Sequence, residues 1–255
     1  MRIAIHHVGD VGLRAGRILL GEQRLTSLGV VGRRPNTRTD ARLEMASDLG
    51  GYDVLVTDDA DSASDLAGDA LAAGVSCVIW GDGDDDTRAL GDQFAAHGRT
   101  LLVGANLASG IAPCLAAHEW ARSAEVLEIR YAWTEPGRPI RRGEAIPFPD
   151  PVGARWAKRR GGDGIAKHFV APTEGEWAAA MAQVTAATDE GVVSRIVGVA
   201  DLAPHLEGLA LAAGALSVGE FPYGLVDASI RAEHYLAAAL GAGLDVATYT
   251  GAPVR

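Results

Sequence analysis

Short apolar runs alternate with helical stretches along residues 1–122. Ile3-Ala4-Ile5 precedes an amphipathic stretch from Val11 to Leu20, and Leu28-Gly29-Val30-Val31 precedes one from Thr39 to Leu49. Val54-Leu55-Val56 leads into Ser62 to Ala73, and Val75 to Ile79 into Asp84 to His97. Leu101-Leu102-Val103 leads into Ser109 to Arg122. Near-continuous apolar strands separated by helices predict a parallel sheet covered on both faces, because only such a strand has no side that meets water.

From Glu125 the pattern changes. Leu127, Ile129 and Tyr131 alternate with Glu128, Arg130 and Ala132, the period-two pattern of a half-buried antiparallel strand. A Pro- and Arg-rich stretch follows to Gly164, then predicted strands at Lys167–Val170 and Ser194–Val199. Helices are predicted over Glu174–Thr188, Leu202–Ala213 and Leu225–Ala242. The fold class expected is α/β, an N-terminal doubly wound Rossmann-type parallel sheet followed by a mixed α+β domain. The domains expected are residues 1–122, for nucleotide binding, and 123–255, for substrate and oligomerisation.

Composition narrows the function classes. A formal charge of −10 argues against nucleic acid as a partner, since such binding rests on neutralising phosphates with Lys and Arg. The longest apolar runs are broken well before the roughly 18 residues that cross a bilayer, and the start lacks a signal-peptide core. No membrane partner is expected, and the location expected is cytoplasmic. Cys77 and Cys114 sit in apolar runs and read as buried thiols rather than a disulfide or a metal site. The Ala- and Leu-dense segments 202–215 and 225–243 suit a homo-oligomer, a dimer being the simplest.

The turn after the first strand carries the chemistry. In G-x-G-x-x-G the first glycine makes a tight turn, the second lets backbone approach a diphosphate, and the third lets helix and strand pack closely. Here the stretch reads His7-Val8-Gly9-Asp10-Val11-Gly12, with the second and third glycines present and His7 at the first. His7, Gly9, Asp10, Val11 and Gly12 are therefore candidate cofactor contacts. The alternative is a tight βα turn that has lost its ligand.

An acidic residue usually ends the second strand and bonds the ribose of NAD. This chain has Gly32-Arg33-Arg34-Pro35 there, and a guanidinium grips a 2′-phosphate bidentately. NADP is thus favoured over NAD; the alternative is a pair of solvated arginines. Thr57, Asp58 and Asn106 follow later strands and are candidate cofactor contacts by position. The run Asp82 to Asp86 lacks the glycine and glutamate of a calcium loop and reads as helix-capping carboxylates, so no metal is expected. P-loop, H-E-x-x-H and G-x-S-x-G motifs are absent.

Ile5 to Gly12, the turn Val103 to Gly110, and the segments Glu135 to Gly143 and Pro147 to Gly153 together resemble a family of small NAD(P)-dependent dehydrogenases. That family includes dihydrodipicolinate reductase, homoserine dehydrogenase and saccharopine dehydrogenase. The resemblance implies hydride transfer on a small carboxylate metabolite. His168 is the candidate acid, because imidazole titrates near neutral pH, and Arg142 and Arg159 are candidate carboxylate clamps. Against these stands a basic solvated loop. The function expected is an NADP-dependent oxidoreductase of a small anionic metabolite; the alternative is a non-catalytic, nucleotide-sensing or oligomeric Rossmann-like protein.

Overall fold

In the computed structural model the described residues are 1–32, 40–134, 137–150, 153–156, 170–189 and 191–250. They divide into two compact units, Met1–Gly110 with Glu207–Gly243, and Ile111–Leu206 with Leu244–Arg255.

The first unit is built on seven strands: β1 (Arg2–His6), β2 (Ser27–Val31), β3 (Leu43–Ala46), β4 (Val54–Thr57), β5 (Ser76–Ile79), β6 (Thr100–Val103) and β12 (Gly224–Asp227). Their order across the sheet is β12-β6-β5-β4-β1-β2-β3, and every neighbouring pair is parallel. Side chains alternate between the two faces. On one face Ala4, Leu55, Cys77 and Leu101 pack with Leu66, Ala67 and Ala70 of α2 (Ala63–Ala72) and with Phe94 of α4 (Gly91–Ala96). On the other, Ile5 and Leu28 meet α1 (Asp10–Gly21) at Gly16. On that same face Val78 and Leu102 lie against Gly214 of α6 (Ala203–Ser217), where a Cβ would stand 2.8 Å from Val78 Cγ1. Each fully buried Leu or Val of these strands is worth about 1.5–3 kcal/mol of transfer from water. The doubly wound reading thus holds.

The second unit is a four-stranded sheet in the order β13-β11-β10-β7, from β7 (Glu125–Trp133), β10 (Trp177–Thr188), β11 (Gly191–Leu202) and β13 (Ala247–Thr250). All its pairings are antiparallel, as the alternation in β7 predicts. Helix α5 (Ala112–Ala121) packs on β10 and β7. A hairpin of β8 (Pro147–Asp150) and β9 (Gly153–Trp156) sets Phe148 on Ala179 and Met181.

Four segments differ from their sequence patterns. Thr39–Leu49, expected as a helix, contains the edge strand β3 instead, because Glu44 accepts hydrogen bonds from Arg2 Nη2 at 3.1 Å, from Tyr52 Oη at 2.8 Å and from Ser27 Oγ. Glu174–Thr188 has helix-forming composition, yet Trp177–Thr188 is a strand bonded on both sides, to β11 and β7. Ala180 and Ala182 are fully buried there, and their small side chains allow close packing. Leu225–Ala242 splits into β12, a short 3₁₀ turn and α7 (Ala232–Gly241), because Leu225 and Val226 register with Leu101 and Leu102. Asp84–His97 breaks into α3 (Asp85–Ala89) and α4.

The segment expected as a second domain, 123–255, therefore returns residues 224–227 to the parallel sheet. Of the two Ala- and Leu-rich segments that suggested an oligomer, 202–215 is spent within the chain, with Leu206, Leu209, Ala210, Leu211, Ala212 and Ala213 of α6 fully buried, whereas 225–243 leaves Ile230 and Leu240 exposed. Among the described residues no helix is long and apolar enough to cross a membrane.

Candidate functional site

The sheet reverses direction of growth between β1 and β4, and ligands of open parallel sheets bind outside the carboxyl ends of strands at such a point. Parallel pairing of Ile5 with Val56 and of His6 with Thr57 sets the glycine turn beside Asp58. Gly9 caps α1 in an extended conformation, with φ −131° and ψ −171°, and its carbonyl accepts the first helical bond from Leu13 N at 3.3 Å. The first N–H groups of a helix have no partner inside it and carry the positive end of its dipole. Neither Gly9 nor its neighbours supply a capping side chain.

Asp58 supplies it from 46 residues away. Its Oδ2 accepts from Gly12 N at 2.7 Å and from Gly9 N at 3.2 Å, and its Oδ1 accepts from Val8 N at 2.9 Å. One buried carboxylate thus takes the N–H groups that a Rossmann turn directs at a diphosphate. Gly12 is needed for close approach: a Cβ there would lie 2.5 Å from His7 Cβ and 2.8 Å from Asp58 Cγ.

Around this turn, His6 Nδ1 lies 3.5 Å from Thr57 Oγ1 and 3.8 Å from Asp59 Oδ2. Thr57 Oγ1 also accepts from Asp59 N at 3.0 Å, so Thr57, fully buried, serves to fix the loop. Asp10 is exposed in the first turn of α1, and Val11 is half-buried.

Further along the strand ends, Asn106 uses both ends of its amide within the protein. Its Nδ2 donates to Trp80 O at 2.8 Å, and its Oδ1 accepts from Ser109 N at 2.7 Å, capping the π-turn Leu107–Ile111. Glu207 completes this corner. Its Oε2 accepts from Trp80 Nε1 at 2.8 Å and Leu107 N at 3.0 Å, and burial raises its pKa against the pull of those two donors. No pattern in the sequence marks Glu207, because its partners lie 127 and 100 residues away.

A cavity of about 320 Å³ opens beside the end of β2, lined by Val31, Ala46, Ser47, Leu55, Leu66 and Asp69. Asp84 acts as the capping carboxylate its sequence suggests, accepting from Thr87 N at 2.8 Å.

Of the remaining sequence candidates, Arg142 is exposed on the turn after Ile140. Arg33, Arg34, Arg159 and His168 lie outside the described residues. The glycine turn, Thr57 and Asp58 are brought together; Asn106 belongs to the neighbouring corner with Trp80 and Glu207.

No family model matches the chain, and no curated protein matches it. Solved structures do. Apo saccharopine dehydrogenase (L-Glu forming) from Saccharomyces cerevisiae is similar at a TM-score of 0.68 and 9% identity, covering 98% of this chain and 100% of that one. The DAP dehydrogenase of C. glutamicum, in complex with DAP, is similar at 0.58 and 13% identity, over 92% and 95%. An engineered D-amino acid dehydrogenase bound to NADP+ is similar at 0.57 and 12% identity, over 92% and 95%. The chain has the fold of these dehydrogenases.

Proposed function

We propose that the protein is an NADP-dependent oxidoreductase acting by hydride transfer on a small, anionic, amino-acid- or keto-acid-like metabolite. The observation that carries the reading is the glycine turn at the β1–β4 reversal, opening a helix whose N-terminal N–H groups hold an anionic group. Gly9 and Gly12 would face the cofactor's diphosphate, and the cavity beside Val31 has room for part of its adenosine half. Arg33 and Arg34, next in the chain after Gly32, would grip the 2′-phosphate. Fold likeness to a dehydrogenase solved with NADP+ supports the same cofactor. When bound, the nicotinamide would supply the hydride chemistry. Arg142 and Arg159 remain the proposed carboxylate clamps and His168 the proposed acid. A homodimer is part of the proposal, checked by light scattering.

Titration of NADPH fluorescence up to millimolar concentration tests the cofactor, with weaker binding expected for Arg33→Ala. Tighter binding of NADH than NADPH would sink the choice of NADP. A metabolite screen following NADPH oxidation tests the reaction, and full turnover by His168→Ala would remove that acid.

A second reading draws on Asp58. With the turn's donors held by its own carboxylate, the domain is complete without a ligand and can serve as a non-catalytic scaffold.

A further inference from the structure

We infer that Asp58 is an internal stand-in for the cofactor's diphosphate, and that a dinucleotide binds only by displacing it. The inference rests on the dinucleotide reading proposed above, which treats the turn as a phosphate site. Three N–H groups from one turn, Val8, Gly9 and Gly12, converge on the two oxygens of a single side chain that is 9% exposed. The carboxylate has the charge sign and the acceptor geometry of a phosphate oxygen pair.

The placement follows from topology rather than from the turn. Thr57 pairs with His6 at the last rung of the β4–β1 ladder, so the next residue of the β4 chain must emerge over the turn. A small or apolar residue at 58 would leave the N–H groups open; aspartate fills them. The space is also spoken for, since a Cβ on Gly9 would meet Asp58 Oδ2 at 3.3 Å and one on Gly12 would meet Oδ1 at 2.8 Å. A diphosphate entering this turn would therefore compete with Asp58 both for donors and for volume. It would also enter against the negative charge of Asp58 and of Asp59 next to it.

The consequence is a threshold. The turn is held in shape by its own side chain, and cofactor affinity is lowered by the cost of moving that side chain out. Affinity is then set by residue 58 as much as by the glycines.

The test compares wild type with Asp58→Ala and Asp58→Asn, the second keeping the side-chain size should the first fold poorly. NADPH fluorescence titrations read the cofactor, and thermal unfolding with inorganic pyrophosphate reads the turn alone. The expected result is at least a tenfold lower Kd for NADPH in Asp58→Ala, with a smaller gain in Asp58→Asn. Pyrophosphate should raise the Tm of Asp58→Ala and leave wild type unmoved. Equal NADPH affinity in wild type and both variants would overturn the inference while the cofactor reading stands. If no variant binds NADPH or NADH at millimolar concentration, the cofactor reading falls, and pyrophosphate decides the rest. Stabilisation of Asp58→Ala alone upholds Asp58 as the anion in the turn, and no stabilisation of any variant overturns that as well.

Discussion

Glu207 offers a stringent test of how the corner between β5 and β6 is held. Its Oε2 is the shared acceptor for the Trp80 indole and for Leu107 N, at 2.8 and 3.0 Å. In Glu207→Leu both donors lose it. Leu107 is buried, so its N–H carries the penalty of an unsatisfied buried donor, about 1–3 kcal/mol. Trp80 is half-buried, so its ring can regain water at smaller cost. The sum is about 2 kcal/mol, or a Tm lower by about 4–8 °C for a chain of this size.

Glu207→Gln keeps an acceptor oxygen and removes the charge. Because burial raises the native pKa of Glu207 above its unfolded value, the protonated form is the one folding favours. Its contribution is therefore fully present below the ordinary carboxylate range and lost as pH rises through the raised native pKa. Wild type should lose stability relative to Glu207→Gln between acid and neutral pH. Urea unfolding of both proteins across that range measures the difference. A Tm unchanged in Glu207→Leu, or wild type gaining on Glu207→Gln as pH rises, would refute the reasoning.

Two further outcomes follow from buried groups, beside the cofactor and Asp58 tests above. Glu119 is buried on α5 and pairs at 3.3 Å with Arg195 of β11, which is itself 39% exposed; Arg195→Met leaves the buried carboxylate without that partner and should cost about 1–3 kcal/mol. Adding Glu119→Leu should recover much of that loss in urea melts, and strict additivity of the two would show that the pair is not coupled. Cys77 is fully buried between strands, and burial pushes its thiol up to about 12. It should resist alkylation in the native state and label fully in denaturant; rapid native labelling of the Cys77 peptide by mass spectrometry would contradict this.

Much of the fold was legible because it rests on local rules. Strands β1, β2, β4, β5 and β6 are short apolar runs between helices, and burial on both faces imposes that composition wherever the strand lies in the sheet. The glycines of the turn were legible too, since Gly12 answers to a steric demand that His7 Cβ, five residues away, already makes. Asp84 caps its own helix within three residues, and the sequence showed it.

What the sequence could not decide is what depends on partners brought from far along the chain. Trp177–Thr188 has a helix former's composition and became a strand because β7 and β11 bond it on both sides. Residues 43–46 became a strand because Glu44 meets Arg2, Ser27 and Tyr52, and residues 224–227 because β6 presented an open edge. The sequence put Asp58 at the end of a strand beside the glycine turn, but its bonds to that turn could not be read there. Only the parallel pairing of β1 with β4 puts that carboxylate over those three N–H groups.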